Sequence, residues 1–79
     1  MSRSFTCEPR ASIQEAAQIM KRNRATALVV VENERAVGTV CDRDLVWRAL
    51  AEGLDIRTTP ITAVMNREFH RVPIDYDAG

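Results

Sequence analysis

Apolar positions along the chain change period several times, and each change marks an element. Ile13, Ala16, Ala17 and Met20 recur at i, i+3, i+4 and i+7, a single stripe on a helix, while Gln14, Gln18, Lys21 and Arg22 lie off it. Ser12-Ile13-Gln14-Glu15 in front of the stripe reads as a capping box, so the helix is expected from Ile13 to about Asn23. Ala27 to Val31 is a short continuous apolar run dominated by β-branched residues, which reads as a strand buried on both faces. A polar turn, Glu32 to Arg35, leads into Ala36-Val37-Gly38-Thr39-Val40, so these two strands should form a hairpin.

The period becomes helical again at Cys41-Asp42-Arg43-Asp44. Asp42 is the expected N-cap, and Asp44 falls in the first turn, where the helix dipole favours an acid. Leu45, Val46, Ala49 and Leu50 build the apolar face, and Gly53 is the expected stop. Ser4 to Cys7, ended by Pro9, is a short extended piece at the start. The order is strand, helix, strand, strand, helix: an α+β fold with a small three-stranded sheet and two helices packed on one face. Beyond it, Leu54 to Pro60 is a connector, Ile61 to Met65 one further helical turn, and Phe69 to Val72 another extended piece.

Composition narrows the function classes. The 79 residues carry 11 basic and 11 acidic side chains, and that balance argues against a broad nucleic-acid surface. The hydrophobic and charged fractions, 46% and 28%, are those of a globular chain. The longest wholly apolar run, Ala27 to Val31, is far too short to span a bilayer, and no signal peptide is visible, so a cytoplasmic location is expected. Two cysteines are too few for a disulfide scaffold. Cys7 and Cys41 read as reduced, packed thiols, with a bridge between them left open.

Met65 to Ile74 repeats the start of the chain. Laid over Met1 to Arg10, it matches Met, Arg, Phe and Pro at positions 1, 3, 5 and 9 of the window. One complete unit over residues 1–57 is expected, followed over 58–79 by a linker and the opening of a second.

These segments carry a resemblance. Ala25-Thr26-Ala27-Leu28-Val29-Val30-Val31, then Gly38 to Leu45, then Thr59-Pro60-Ile61 through Val64-Met65 resemble the CBS domain, the unit that occurs in tandem pairs as a Bateman module. The resemblance implies a β-α-β-β-α unit that pairs with a second CBS repeat and forms homodimers. It also implies an adenosine-containing ligand in the cleft between repeats: AMP, ADP or ATP first, NAD or S-adenosylmethionine second, and no cofactor required. The family's ligand motif is glycine, two mostly apolar residues, threonine or serine, two variable residues, then aspartate. Here it reads Gly38, Thr39, Val40, Cys41, Asp42, Arg43, Asp44. A strand running into a helix N-terminus aims amides and positive potential at an anion. On that reading Asp44 takes the ribose hydroxyls, Gly38 lets backbone approach the ligand, and Arg43 and Arg24 fork onto phosphate oxygens. Thr6, Asn23, Ala25 and Ala27 match positions that line the adenosine cleft.

Each of these residues also has a plainer reading. Asp44 serves equally as a first-turn acid, Thr6 as a strand residue, and Ala25 and Ala27 as small residues under a helix; ten of the eleven basic residues are arginines, so any one near a cleft says little. Cys41 departs from the motif, because a thiol is a weak donor where a hydroxyl would meet phosphate. The expected function is therefore regulatory, the sensing of an adenosine ligand. Its competitor is a structural dimerisation module whose ligand site has lapsed at Cys41. Trp47 fits either a partner contact or a partly buried core position.

No enzyme is expected. Cys41 and His70 supply a thiol and a base, and a helix N-terminus would lower the thiol pKa, but no triad-like motif surrounds either. One histidine and two distant cysteines lack metal-ligand spacing.

Overall fold

The expected capping box is present in the computed structural model, which describes residues 5–67. The Glu15 amide donates to Ser12 Oγ at 3.0 Å and the Ser12 amide to Glu15 Oε1 at 2.9 Å, opening helix α1 at Ile13–Asn23. Ile13, Ala16 and Met20 are buried, so the stripe faces the core as its spacing requires. Arg24 ends the helix in the left-handed region at φ 54, where the Ala25 amide reaches the Met20 carbonyl at 2.9 Å.

Three strands form one sheet in the order β1-β2-β3: β1 at Thr6–Cys7, β2 at Ala27–Glu32 and β3 at Arg35–Cys41. β1 pairs parallel to β2, Thr6 opposite Val29, and β2 pairs antiparallel to β3, Leu28 opposite Val40 and Val30 opposite Gly38. The hairpin closes through Asn33 and Glu34 with φ of 53 and 66, the two left-handed positions a tight two-residue hairpin needs. The register shifts between Val30 and Val31.

Burial of β2 differs from expectation. Leu28 and Val30 are buried, Val29 and Val31 half-buried, and Ala27 exposed, so the strand has one core face and not two. The two helices cover only one side of the sheet, which leaves the alternate side chains on the other.

The second helix, α2, starts with an α-helical turn at Asp42–Asp44 and continues over Leu45–Leu50 as a π-helix. Cys41, not Asp42, is its N-cap residue; Asp42 is already the first helical residue. The wider i→i+5 spacing, seen in the Ala51 amide bonding the Val46 carbonyl at 2.9 Å, rotates the apolar face away from its 3.6-residue phase. Ala49 is buried and Leu45 half-buried, but Val46 and Leu50 are 49% and 66% exposed. Gly53, at φ 71, follows the helix as expected.

The stretch read as a linker does structural work. Ile61, at the start of a 3-10 turn over Ile61–Ala63, is fully buried, as is Val64, and Met65 is nearly so. They join Cys7, Ile13, Ala16, Met20, Leu28, Val30, Val40 and Ala49 in the core. The chain then crosses β3: Thr39 and Asn66 exchange backbone hydrogen bonds of 2.9 and 2.7 Å. A side chain at Gly38 would crowd this crossing. A Cβ there would come within 2.6 Å of Met65 Sδ and 3.1 Å of the Asn66 carbonyl oxygen. Beyond Arg67, the expected extended piece at Phe69 to Val72 lies outside the described residues, as do most of the repeat match and His70.

Candidate functional site

The end of β3 delivers the chain directly into α2, and the start of β2 lies beside that junction because Ala27 pairs with Cys41. The Asp42 amide donates to the Thr26 carbonyl at 3.0 Å, tying the two segments together. From the side Asn66 arrives, held on Thr39. A hollow of about 340 Å³ opens among these pieces, lined by Thr26, Ala27, Cys41, Asp42, Arg43, Asp44 and Asn66. That volume lies at the lower end of the range for small-molecule sites.

Four of the expected site residues, Ala27, Cys41, Arg43 and Asp44, meet at this hollow. The other six are placed elsewhere. Gly38 and Val40 are buried on the core side of β3, Thr39 is half-buried with its backbone paired to Asn66, and Ala25 is half-buried behind the end of α1. Asn23 donates through Nδ2 to the Ile19 carbonyl at 2.8 Å in the last turn of α1. Thr6 lines a different, larger hollow of about 610 Å³ with Cys7, Glu8, Arg10, Ala11, Glu15, Ile19 and Val31. The smaller hollow is the better candidate, because it gathers a first-turn carboxylate, a helix start and an arginine in one place.

Three residues of the lining stood outside the expected set. Thr26 lies within the stretch that suggested Ala25 and Ala27, and Asp42 was read as a cap. Asn66 reaches the site only through its pairing with Thr39, a contact across 27 positions that leaves no local trace.

The carboxylates have internal partners. Asp44 Oδ2 accepts from the Cys41 amide at 2.9 Å, and Asp44 Oδ1 lies 3.8 Å from Arg48 Nε, one turn on. Asp42 Oδ1 accepts from the Arg43 amide at 2.7 Å. A carboxylate has about four acceptor positions, so Asp44 retains capacity for ligand hydroxyls. Arg43 holds its guanidinium 5.4 Å from the centre of the Trp47 ring, and Trp47 is 64% exposed rather than part of the core.

Cys41 is exposed and Cys7 buried, and both are free thiols. The packed-thiol reading therefore holds for Cys7 only. The expected lowering of the Cys41 pKa is not found. Partial burial, then Asp44 and Asp42, push the thiol up from its ordinary value, with Arg43 opposing them. Burial of the thiol, with the two carboxylates adding to it, outweighs the dipole of so short a first turn. Burial and Glu8 raise Cys7 in the same direction.

Residues 1–50 match the family model of the CBS domain. The chain belongs to the CBS domain family. A CBS domain-containing protein of Bacillus subtilis, YhcV, is 41% identical over 63 residues, covering 80% of this chain and 44% of that protein. The chain thus spans less than half the length of the curated relatives it matches. Among solved structures, a cystathionine beta-synthase domain protein fused to a Zn-ribbon-like domain superposes with a TM-score of 0.79 at 24% identity, over 84% of this chain and 94% of that one. The CBS domain protein PAE2072 of Pyrobaculum aerophilum, solved in complex with AMP, superposes with a TM-score of 0.74 at 28% identity, over 85% of this chain and 53% of that one. CBS domain proteins are regulatory or interaction modules, and the three-stranded sheet with two helices is their unit. No helix among the described residues is long and apolar enough to cross a membrane, and no group of three or more His, Cys, Asp and Glu among them could hold a metal ion.

Proposed function

We propose that this CBS domain is a regulatory module that binds an adenosine-containing ligand in the hollow at the start of α2, completed by a second CBS repeat or a second copy of the chain. The convergence of Thr26, Ala27, Cys41, Asp42, Arg43, Asp44 and Asn66 around one cavity carries the reading. Asp44 takes the ribose hydroxyls through its remaining acceptor positions, and Ala27 leaves room for a flat base. The AMP complex of the Pyrobaculum relative supports the ligand class. Regulation follows if the ligand favours one of two arrangements of the paired units, since a ligand shifts an equilibrium only by its differential affinity.

A second reading, a structural dimerisation module, is favoured by the exposed Val46, Trp47 and Leu50 on α2 and by the thiol at the motif's hydroxyl position. Thermal shift separates the two. The protein is screened with adenosine, AMP, ADP, ATP, NAD and S-adenosylmethionine, and again as Asp44→Ala. A ligand at a hundredfold its Kd raises stability by about 2.7 kcal/mol, a readily visible rise in Tm. A rise that vanishes in Asp44→Ala supports the sensor; a folded, dimeric protein that responds to none of the six supports the structural module.

A further inference from the structure

Resting on the adenosine-site reading, the arrangement of donors and charges around the hollow bears on which adenosine ligand it takes. A 5′-phosphate bound at a strand-to-helix junction is held by free amides and an available cation, with neutral hydroxyls adding less. The three amides in question already have acceptors. Cys41 donates to Asp44 Oδ2 at 2.9 Å, Asp42 to the Thr26 carbonyl at 3.0 Å, and Arg43 to Asp42 Oδ1 at 2.7 Å.

Two of those acceptors are themselves carboxylates, so the amides are screened by negative charge and not merely occupied. Among the described residues the lining carries one cation, Arg43, and its guanidinium rests over Trp47 at 5.4 Å. Arg48 approaches Asp44 at 3.8 Å but does not line the hollow. At position 41 the donor that would meet a phosphate is a thiol, which Asp42 and Asp44 help to keep protonated and neutral. The remaining walls, Thr26, Ala27 and Asn66, bring a hydroxyl and a side-chain amide but no charge. A dianionic phosphate brought here lies beside two carboxylates with one arginine to offset them, whereas ribose hydroxyls or an amine meet acceptors.

We infer that the hollow selects adenosine ligands whose 5′ substituent is neutral or cationic and discriminates against 5′-phosphates, with Asp42 and Cys41 as the specificity-determining residues. This reverses the ligand order that the family motif suggests, in which the nucleotides come first.

Isothermal titration at low salt tests it with three probes: adenosine, 5′-amino-5′-deoxyadenosine and AMP. Adenosine and the amine are expected to bind at least about tenfold more tightly than AMP, because like charges brought together at a site oppose binding strongly. Asp42→Asn keeps the side-chain acceptor for the Arg43 amide but removes a charge, and it should narrow the AMP-to-adenosine Kd ratio by about tenfold. Cys41→Thr supplies the missing hydroxyl and should narrow the ratio further. AMP binding as tightly as adenosine to the unaltered protein, or an unchanged ratio in Asp42→Asn, overturns the inference while leaving the adenosine site standing. Failure of all three probes to bind overturns the site itself and the inference with it.

Discussion

Both helices of this CBS domain begin with amides that need partners, and the chain supplies them in two different ways. At the start of α1 the partners are mostly fixed. The Ile13 amide bonds the Thr59 carbonyl at 3.1 Å, Gln14 the Ile56 carbonyl at 2.9 Å, and Ala16 the Ser12 carbonyl at 3.0 Å, with Ser12 Oγ taking Glu15. At the start of α2 the partners include two surface carboxylates, those of Asp42 and Asp44, beside an open hollow. The first end is sealed by backbone from a distant part of the chain. The second has one backbone partner, the Thr26 carbonyl, and is otherwise closed by side chains that can rotate. Similar local dipoles thus sit in two settings: one helix start is latched into the fold, and the other opens onto a hollow.

Removing what clamps the α1 end breaks the comparison most severely. Ile61→Ala deletes a fully buried side chain from the segment that brings Thr59 and Ile56 to that end. A loss of about 2–5 kcal/mol is expected in denaturant unfolding, from lost burial and the cavity left behind. A loss under 1 kcal/mol would mean that the segment does not clamp the helix. Ser12→Ala is milder. It removes one acceptor while the backbone seal persists, so about 1 kcal/mol should be lost.

The smallest effect sharpens the α2 side. Because partial burial, with Asp44 and Asp42 adding to it, holds the Cys41 thiol above its ordinary pKa, alkylation by iodoacetamide should be slower near pH 8 than for an unstructured cysteine, and should accelerate only at higher pH. The linkage has one sign. The unfolded thiol ionises first, so the contributions of Cys41 and Cys7 are intact below the unfolded pKa and fade as pH rises from about 8.5 through the folded values. Reaction as fast as the free amino acid at pH 8 would show that neither burial nor the carboxylates hold the thiol up at this helix start.

Elements governed by local chemistry were legible in the sequence. Ser12 and Glu15 place the start of α1, the polar turn marks the hairpin, and Gly53 marks the stop. The phase of α2 was not, because a π-helix arises from how the helix packs and not from its residues' preferences, and an α-helical period assigned Val46 and Leu50 to a face they do not occupy. For the site, Ala27, Cys41, Arg43 and Asp44 could be read because they lie at a strand-to-helix switch visible in the sequence. Gly38 shows the other case. Its lack of a Cβ serves the chain's own crossing at Met65 and Asn66, a use that only the folded backbone displays.

That crossing, with the clamp before it, also sets an order of events for a nascent chain. The β-α-β-β-α series is written out by Gly53, yet the amides that start α1 wait for Ile56 and Thr59, and the Ala11 carbonyl waits for the Ile61 amide fifty positions later, at 2.7 Å. As translation proceeds from the N-terminus, the emerging segment stays unlatched, its apolar stripe and sheet exposed to chaperones or neighbouring chains, until residues near Asn66 have left the ribosome.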